Sequence, residues 1–259
     1  MMDINLQQKV VLVTGASRGI GAAIATGFAK QGAVVIINYL KSKEKAEQHA
    51  AYLMDTYNIE AMVVQGDVTN ESDVKAMVSE IIAEFDTIDI AVNNALHGYT
   101  FDPDRRKLAW ELDWEDYQYQ IDGALKGTYN VSKHVIPFMK ERKTGRIINM
   151  ISNLVYRPVV PYHDYNTAKG AVLAYSQNMA ADLGSFGITV NCVAPGLVYP
   201  TDASRTTKEE VKELIINETP LHRIAKPEDV VGSVLFFASG WSGFITGQCI
   251  VVDGGFVMK

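Results

Sequence analysis

The run Lys9-Val10-Val11-Leu12-Val13 followed by Thr14-Gly15-Ala16-Ser17-Arg18-Gly19-Ile20-Gly21 constrains the fold more than any other stretch of the chain. The apolar run predicts a short buried strand, and Ala22 to Lys30 continues as a helical pattern. A second apolar run, Ala33 to Ile37, completes a βαβ unit of ordinary length. Glycines at such a strand-to-helix turn let the backbone approach a pyrophosphate, whose charge meets free N–H groups at the helix start. The glycine spacing is looser than Gly-x-Gly-x-x-Gly, so a tight turn without a ligand is the alternative reading.

Strand and helix alternate along the rest of the chain. Strands are predicted at Val10–Val13, Ala33–Asn38, Glu60–Gln65, Ile88–Val92, Arg146–Ile151, Thr189–Val193 and Gln248–Val252. Most are apolar runs without alternation, as a parallel sheet covered on both faces requires. Helices are predicted at Gly19–Gln31, Ser42–Tyr57, Glu71–Phe85, Trp114–Lys140, Tyr165–Phe186, Lys208–Glu218 and Pro227–Ala238, the third capped by Asn70. The fold class is α/β. A single Rossmann-type domain over 1–259 is expected, a doubly wound sheet of about seven parallel strands with helices on both faces. Two segments, 96–113 and 197–218, break the rhythm at positions that would overhang the carboxyl ends of the strands, where ligands bind. Packing between subunits is the other use for such segments.

A net charge of −6 and a pI near 5.4 argue against nucleic acid or an anionic membrane as partner. Cys192 and Cys249 sit in apolar, strand-like settings and read as buried thiols of a reducing compartment. The stretch Met1 to Asn5 has no basic and apolar signal pattern, and no apolar run is long enough to span a bilayer, so a cytoplasmic location is expected. The histidines His49, His97, His134, His163 and His222 show no metal-site spacing.

Tyr165 and Lys169, in Tyr165-Asn166-Thr167-Ala168-Lys169, fall one helical turn apart on the same face. A free phenol titrates near pH ~10. A lysine cation beside it favours the phenolate and should lower that value, giving a proton donor or acceptor useful near neutrality. Ser152, thirteen residues before the tyrosine, would hold the reacting oxygen.

With the glycine turn, these residues resemble the short-chain dehydrogenase/reductase family over essentially the whole chain. The other landmarks follow in order: Asp67-Val68, Asn93-Asn94-Ala95, Asn191 with Pro195-Gly196, and Val251-Val252-Asp253-Gly254-Gly255. Among its members the chain is most similar to bacterial 3-oxoacyl-(acyl-carrier-protein) reductases. The resemblance implies reduction of a ketone to an alcohol. Tyr165 would donate the proton, Ser152 orient the carbonyl, and Lys169 bind the nicotinamide ribose. It implies cofactor contacts from Thr14, Gly15, Ser17, Arg18, Gly19, Ile20, Gly21, Asn38, Tyr39, Asp67, Val68, Asn93, Ala95, Pro195, Gly196 and Thr201, with Asp67 on the adenine edge and Asn93 bracing the adenosine side. Asn38-Tyr39-Leu40-Lys41-Ser42-Lys43 has no carboxylate to take an adenosine ribose, and Arg18 lies where the family places a cation against a 2′-phosphate. NADP(H) is therefore the expected cofactor.

A homotetramer is implied as well, and an acyl-carrier protein as carrier, with Lys140, Arg142 and Lys143 a conceivable docking patch. The chain departs from the family pattern at Ala124, which stands where a proton-relay asparagine is usual, and at Leu96, which replaces a glycine. A weakly catalytic NADP-binding regulatory or interaction protein is thus the second reading. Within enzymes, a reductase of a sugar, steroid or xenobiotic carbonyl is the rival.

Overall fold

Seven parallel strands form one sheet in the order β3-β2-β1-β4-β5-β6-β7. They are β1 (Val10–Val13), β2 (Val34–Tyr39), β3 (Ala61–Gln65), β4 (Ile90–Asn93), β5 (Gly145–Met150), β6 (Ile188–Pro195) and β7 (Cys249–Val252). The structure is a computed structural model and describes residues 4, 6–96, 99, 101, 102, 104 and 106–258. Met1, Met2, Asp3 and Asn5, from the expected absence of a signal, and His97, from the histidine survey, lie outside the described residues.

Burial follows the pleat. Val11, Val13, Val35, Ile37 and Val92 pack on one face against Ile24 and Phe28 of α1 (Gly19–Ala29), Leu53 of α2 (Lys43–Tyr57), and Val230 and Phe237 of α8 (Pro227–Ala238). Val10, Leu12, Ile36 and Ile147 pack on the other face. Their partners include Val74 and Ile81 of α3 (Glu71–Phe85), Val131 and Val135 of α5 (Gly127–Arg142), and Leu183 of α6 (His163–Leu183). With both faces covered, the strands are mostly apolar on both sides, which is why little alternation is visible in the sequence. No helix among the described residues is long and apolar enough to cross a membrane.

The α1–α8 contact is close enough to test. A Cβ on Gly27 would lie 2.3 Å from Cγ1 of Val231. Gly27→Leu overpacks this seam. It should lower stability by about 1–3 kcal/mol, read as a reduced urea midpoint at unchanged slope.

Most expected boundaries shift by one to three residues, and two differences have a visible cause. The long helix predicted over Trp114–Lys140 is divided into α4 (Trp114–Ile121), a π-helical stretch over 122–126, and α5. Gly123 and Gly127 weaken the helix there, and Gly127 brings α5 so near Val68 that a Cβ would stand 2.9 Å from its Cγ2. β4 begins at Ile90 rather than Ile88. The Asp89 carboxylate accepts the Val10 N–H at 3.0 Å, and the register with β1 starts with Val11 opposite Ile90. The cap on α3 forms as expected, with Asn70 Oδ1 accepting the Ser72 N–H at 3.0 Å. The remaining helix is α7 (Glu209–Glu218).

Candidate active site

Strand order reverses between β1 and β4, and the carboxyl ends of those strands open into a cleft of about 710 Å³. The glycine turn forms its floor. Gly15 and Gly19 have φ of +63° and +58°, conformations that suit glycine. A Cβ on Gly21 would stand 2.4 Å from the Gly15 carbonyl, so helix α1 starts flush against the turn. No side chain caps that helix start and no acidic residue lies in its first turn. A cradle of this kind fits a dinucleotide pyrophosphate.

Of the expected cofactor residues, Gly15, Ser17, Arg18, Gly19, Ile20, Gly21, Asn38, Tyr39, Asp67, Val68, Ala95, Pro195, Gly196 and Thr201 line this cleft, with Tyr165 and Lys169. Two do not. Thr14 is buried beneath the turn, where its Oγ1 donates to the Val92 carbonyl and accepts the N–H groups of Asn94 and Ala95. Asn93 points into the core and donates to Asn149 Oδ1 at 2.8 Å. At the end of β4 successive side chains take opposite faces, so Asn94, not Asn93, reaches the cleft. Its Nδ2 donates to the carbonyl of Thr14 at 2.9 Å. The Asn38 side chain is likewise occupied with the scaffold, accepting the Gly15 N–H and donating to Gly66. Asp67 Oδ1 accepts from the Thr69 N–H and hydroxyl, and Asn130 holds the Val68 carbonyl.

Beyond the end of β2, Arg18 Nη1 donates to Ser42 Oγ at 3.1 Å, and Arg18 Nε pairs with Asp202 at 2.8 Å. Sequence reasoning missed both partners. They are remote from Arg18 in the chain, and no local pattern marks them.

Ser152 follows β5, and Tyr165 and Lys169 project from the first turns of α6; all three are buried. Ser152 Oγ accepts the Leu154 N–H at 3.2 Å, and its side chain lies near enough to the Tyr165 phenol to favour the phenolate. Lys169 Nζ donates to the Met150 carbonyl at 2.7 Å and lies 5.8 Å from the Tyr165 ring centre. The expected depression of the phenol pKa is overturned. Burial pushes Tyr165 up to about 12, against a smaller opposing pull from Ser152. Burial also brings Lys169 down to about 8. Desolvation disfavours the charged form of each, and it outweighs the opposing pull of Ser152 on Tyr165 and of Cys192 on Lys169. The covering is aromatic: Tyr99 stacks on Tyr165 at 4.6 Å, Phe101 meets it edge-on at 5.2 Å, and Tyr162 closes on both Tyr99 and Phe101.

The lysine shift has a sign that can be checked. A lysine titrates near ~10.4 when unfolded. Between that value and about 8 the unfolded chain holds a proton that the folded chain has lost. Stability from this source is therefore complete above ~10.4 and is lost as pH falls through about 8. Lys169→Met should abolish this slope. Thermal midpoints of wild type relative to the variant should rise between pH 8 and 10.

Ala124 sits in an apolar cluster with Ile151, Ala168, Val172 and Cys192, so no polar side chain stands in the place of the relay asparagine. Nearby Asp122 accepts from Gln118 at the surface. The Met150 carbonyl is what Lys169 binds instead. Leu96 lines the cleft as its bulk suggests. Lys140, Arg142 and Lys143 end α5 just before β5 begins. They therefore lie at the amino end of the sheet, opposite the cleft, and do not flank its mouth.

A glycine cradle at the switch point of a parallel sheet, facing a buried Ser-Tyr-Lys group, places the chain in the class of Rossmann-fold oxidoreductases. A family model described as enoyl-(acyl carrier protein) reductase matches residues 15–257. The chain belongs to the short-chain dehydrogenase/reductase family. It is 37% identical over 250 residues to a 3-oxoacyl-(acyl-carrier-protein) reductase of Staphylococcus aureus, covering 96% of this chain and 98% of that protein. A crystal structure of a putative gluconate dehydrogenase from Agrobacterium tumefaciens superposes with a TM-score of 0.91 at 30% identity, covering 100% of both chains. A gluconate 5-dehydrogenase from Burkholderia cenocepacia, in complex with NADP and tartrate, gives 0.88 at 32% identity, with 98% and 96% covered.

Proposed function

We propose that the chain is an NADPH-dependent reductase that converts a 3-oxoacyl thioester to the 3-hydroxyacyl thioester. The observation that carries the reading is the buried Ser152, Tyr165 and Lys169 group in a cleft whose lining includes an apolar wall of Leu154, Val159, Val160, Val211, Ile215 and Phe256. An acyl chain suits such a wall.

When bound, the dinucleotide supplies the hydride. The side chains of this chain hold and deliver the proton. Ser152 donates to the carbonyl oxygen and draws charge toward it. Tyr165, neutral at pH 7 with its pKa near 12, retains a proton to give to the forming alkoxide. Lys169, near 8, is the neighbouring group best matched to restore that proton at neutral pH. For NADPH over NADH, support comes from Arg18 and Ser42, adjacent at the adenosine end, and from the absence of a carboxylate over Asn38–Lys43. The reading includes an acyl-carrier protein as carrier and a homotetrameric assembly.

The gluconate dehydrogenases among the fold relatives support a second reading, reduction of a sugar-acid ketone. The test is the fall in absorbance at 340 nm with NADPH or NADH, offered acetoacetyl-coenzyme A or 5-ketogluconate. NADPH-selective turnover of the thioester supports the first reading, and turnover of the ketogluconate alone replaces it with the second. Dinucleotide binding without turnover of these or of a wider ketone panel leaves the binding-protein reading.

A further inference from the structure

The segment after Gly196 is bonded at both of its margins. Thr201 and Ser204 share a hydroxyl hydrogen bond of 2.8 Å, and Ser204 Oγ donates to the Val198 carbonyl, which draws the segment into a compact turn. Asp202 stands on this turn and pairs with Arg18 Nε at 2.8 Å. On the other margin, the Phe101 N–H donates to the Ala203 carbonyl at 2.9 Å, Thr206 Oγ1 donates to the Phe101 carbonyl at 3.1 Å, and Lys208 pairs with Asp104 at 2.6 Å. Phe101 in turn meets Tyr165 edge-on, beside the stacked Tyr99. One bonded path therefore runs from Arg18 through Asp202, Ala203 and Phe101 to the ring of Tyr165.

We propose that Asp202 is a specificity-determining residue: its carboxylate holds Arg18 in the cofactor-free protein, and the joined loops keep aromatic rings over Tyr165 until a 2′-phosphate takes the guanidinium. The inference rests on the NADPH reading above and deepens it. A phosphate on Arg18 and Ser42 competes with the carboxylate for the same donors and repels it as a like charge. A 2′-hydroxyl does neither, so NADH can occupy the cleft with the loops still joined over the tyrosine. The Arg18–Asp202 pair is about half exposed on each side. Exposed pairs are weak, and this one should cost a phosphate ligand only about two- to fivefold in affinity. A phosphate can therefore displace it. Cofactor choice is then read twice, once in binding and once in uncovering the site, because a ligand shifts a conformational equilibrium only by its difference in affinity for the two states.

The test uses 2′,5′-ADP against ordinary ADP, fragments that differ in the adenosine phosphate and lack the nicotinamide. Amide hydrogen exchange of the wild type should speed up at Phe101 and over 203–207 with saturating 2′,5′-ADP and stay unchanged with ADP. Asp202→Asn should show the fast exchange without any nucleotide and bind 2′,5′-ADP about two- to fivefold more tightly. Its NADH-supported turnover should rise relative to NADPH. Equal exchange with both bound nucleotides, or an Asp202→Asn protein that exchanges and binds as the wild type does, overturns the proposal and leaves the NADPH reading intact. Failure of wild type and variant to bind 2′,5′-ADP removes the NADPH reading and this inference with it.

Discussion

Tyr165→Phe lowers the turnover of the carbonyl substrate by about 10²–10⁴-fold and leaves the dissociation constant for NADPH within about twofold of the wild type. The substitution removes one hydroxyl and keeps the ring. Tyr99 and Phe101 therefore retain their stacking partner, and the packing of α6 is preserved. What disappears is the phenol hydroxyl, which keeps its proton at neutral pH. Ser152 is left with its main-chain contact, in which Oγ accepts the Leu154 N–H at 3.2 Å. Loss of one buried hydroxyl should cost no more than a lost hydrogen bond, about 0.5–1.5 kcal/mol of stability, too little to unfold the protein. Single-turnover oxidation of NADPH, compared with fluorescence titration of NADPH binding, separates chemistry from affinity. Equal loss in both would mean that Tyr165 serves the cofactor pocket and not the proton transfer.

Arg18→Ala should reduce kcat/KM with NADPH by about ten- to a hundredfold through KM, since hydrogen bonds to charged groups contribute about 1.5–3 kcal/mol. Values with NADH should not fall. Arg18 is half exposed and makes no contact that the fold depends on, its bonds being to Ser42 and Asp202. Its removal should therefore leave the thermal midpoint unchanged within a degree or two. Steady-state kinetics with each cofactor at fixed carbonyl substrate provide the check. A parallel loss with NADH would move Arg18 from the 2′-phosphate to the shared pyrophosphate.

The boundaries of the fold were legible wherever one local cause acts. The glycine turn needs φ values that glycine supplies, and it sits between an apolar run and a helical pattern that no other arrangement satisfies as well. Asn70 caps α3 by a bond to a residue two positions on, which sequence displays directly. The helix through Ala124 was less legible. Its π-helical interruption reflects the approach of Gly127 to Val68, a contact between residues far apart in the chain.

The site divides the same way. The spacing of Tyr165 and Lys169 on one helix put both on one face by helical geometry alone, and the cleft at the β1–β4 switch point follows from strand order. Which asparagine of Asn93-Asn94 faces the cleft was decided by the phase of β4 against the sheet, and Thr14 was drawn under the turn by Val92, Asn94 and Ala95. The sign of the Tyr165 shift depended on burial beneath rings from another loop, because desolvation scales with all surrounding atoms while a spacing rule sees one neighbour. The sequence by itself determined the alternation of elements, the glycine turn and the shared face of Tyr165 and Lys169, since each rests on φ, pleat or helical pitch within a few residues. Only the tertiary structure decided the Arg18–Asp202 pair, the joining of Phe101 to Ala203 and the covering of Tyr165, since these contacts form between segments whose separation in the chain leaves no periodic trace.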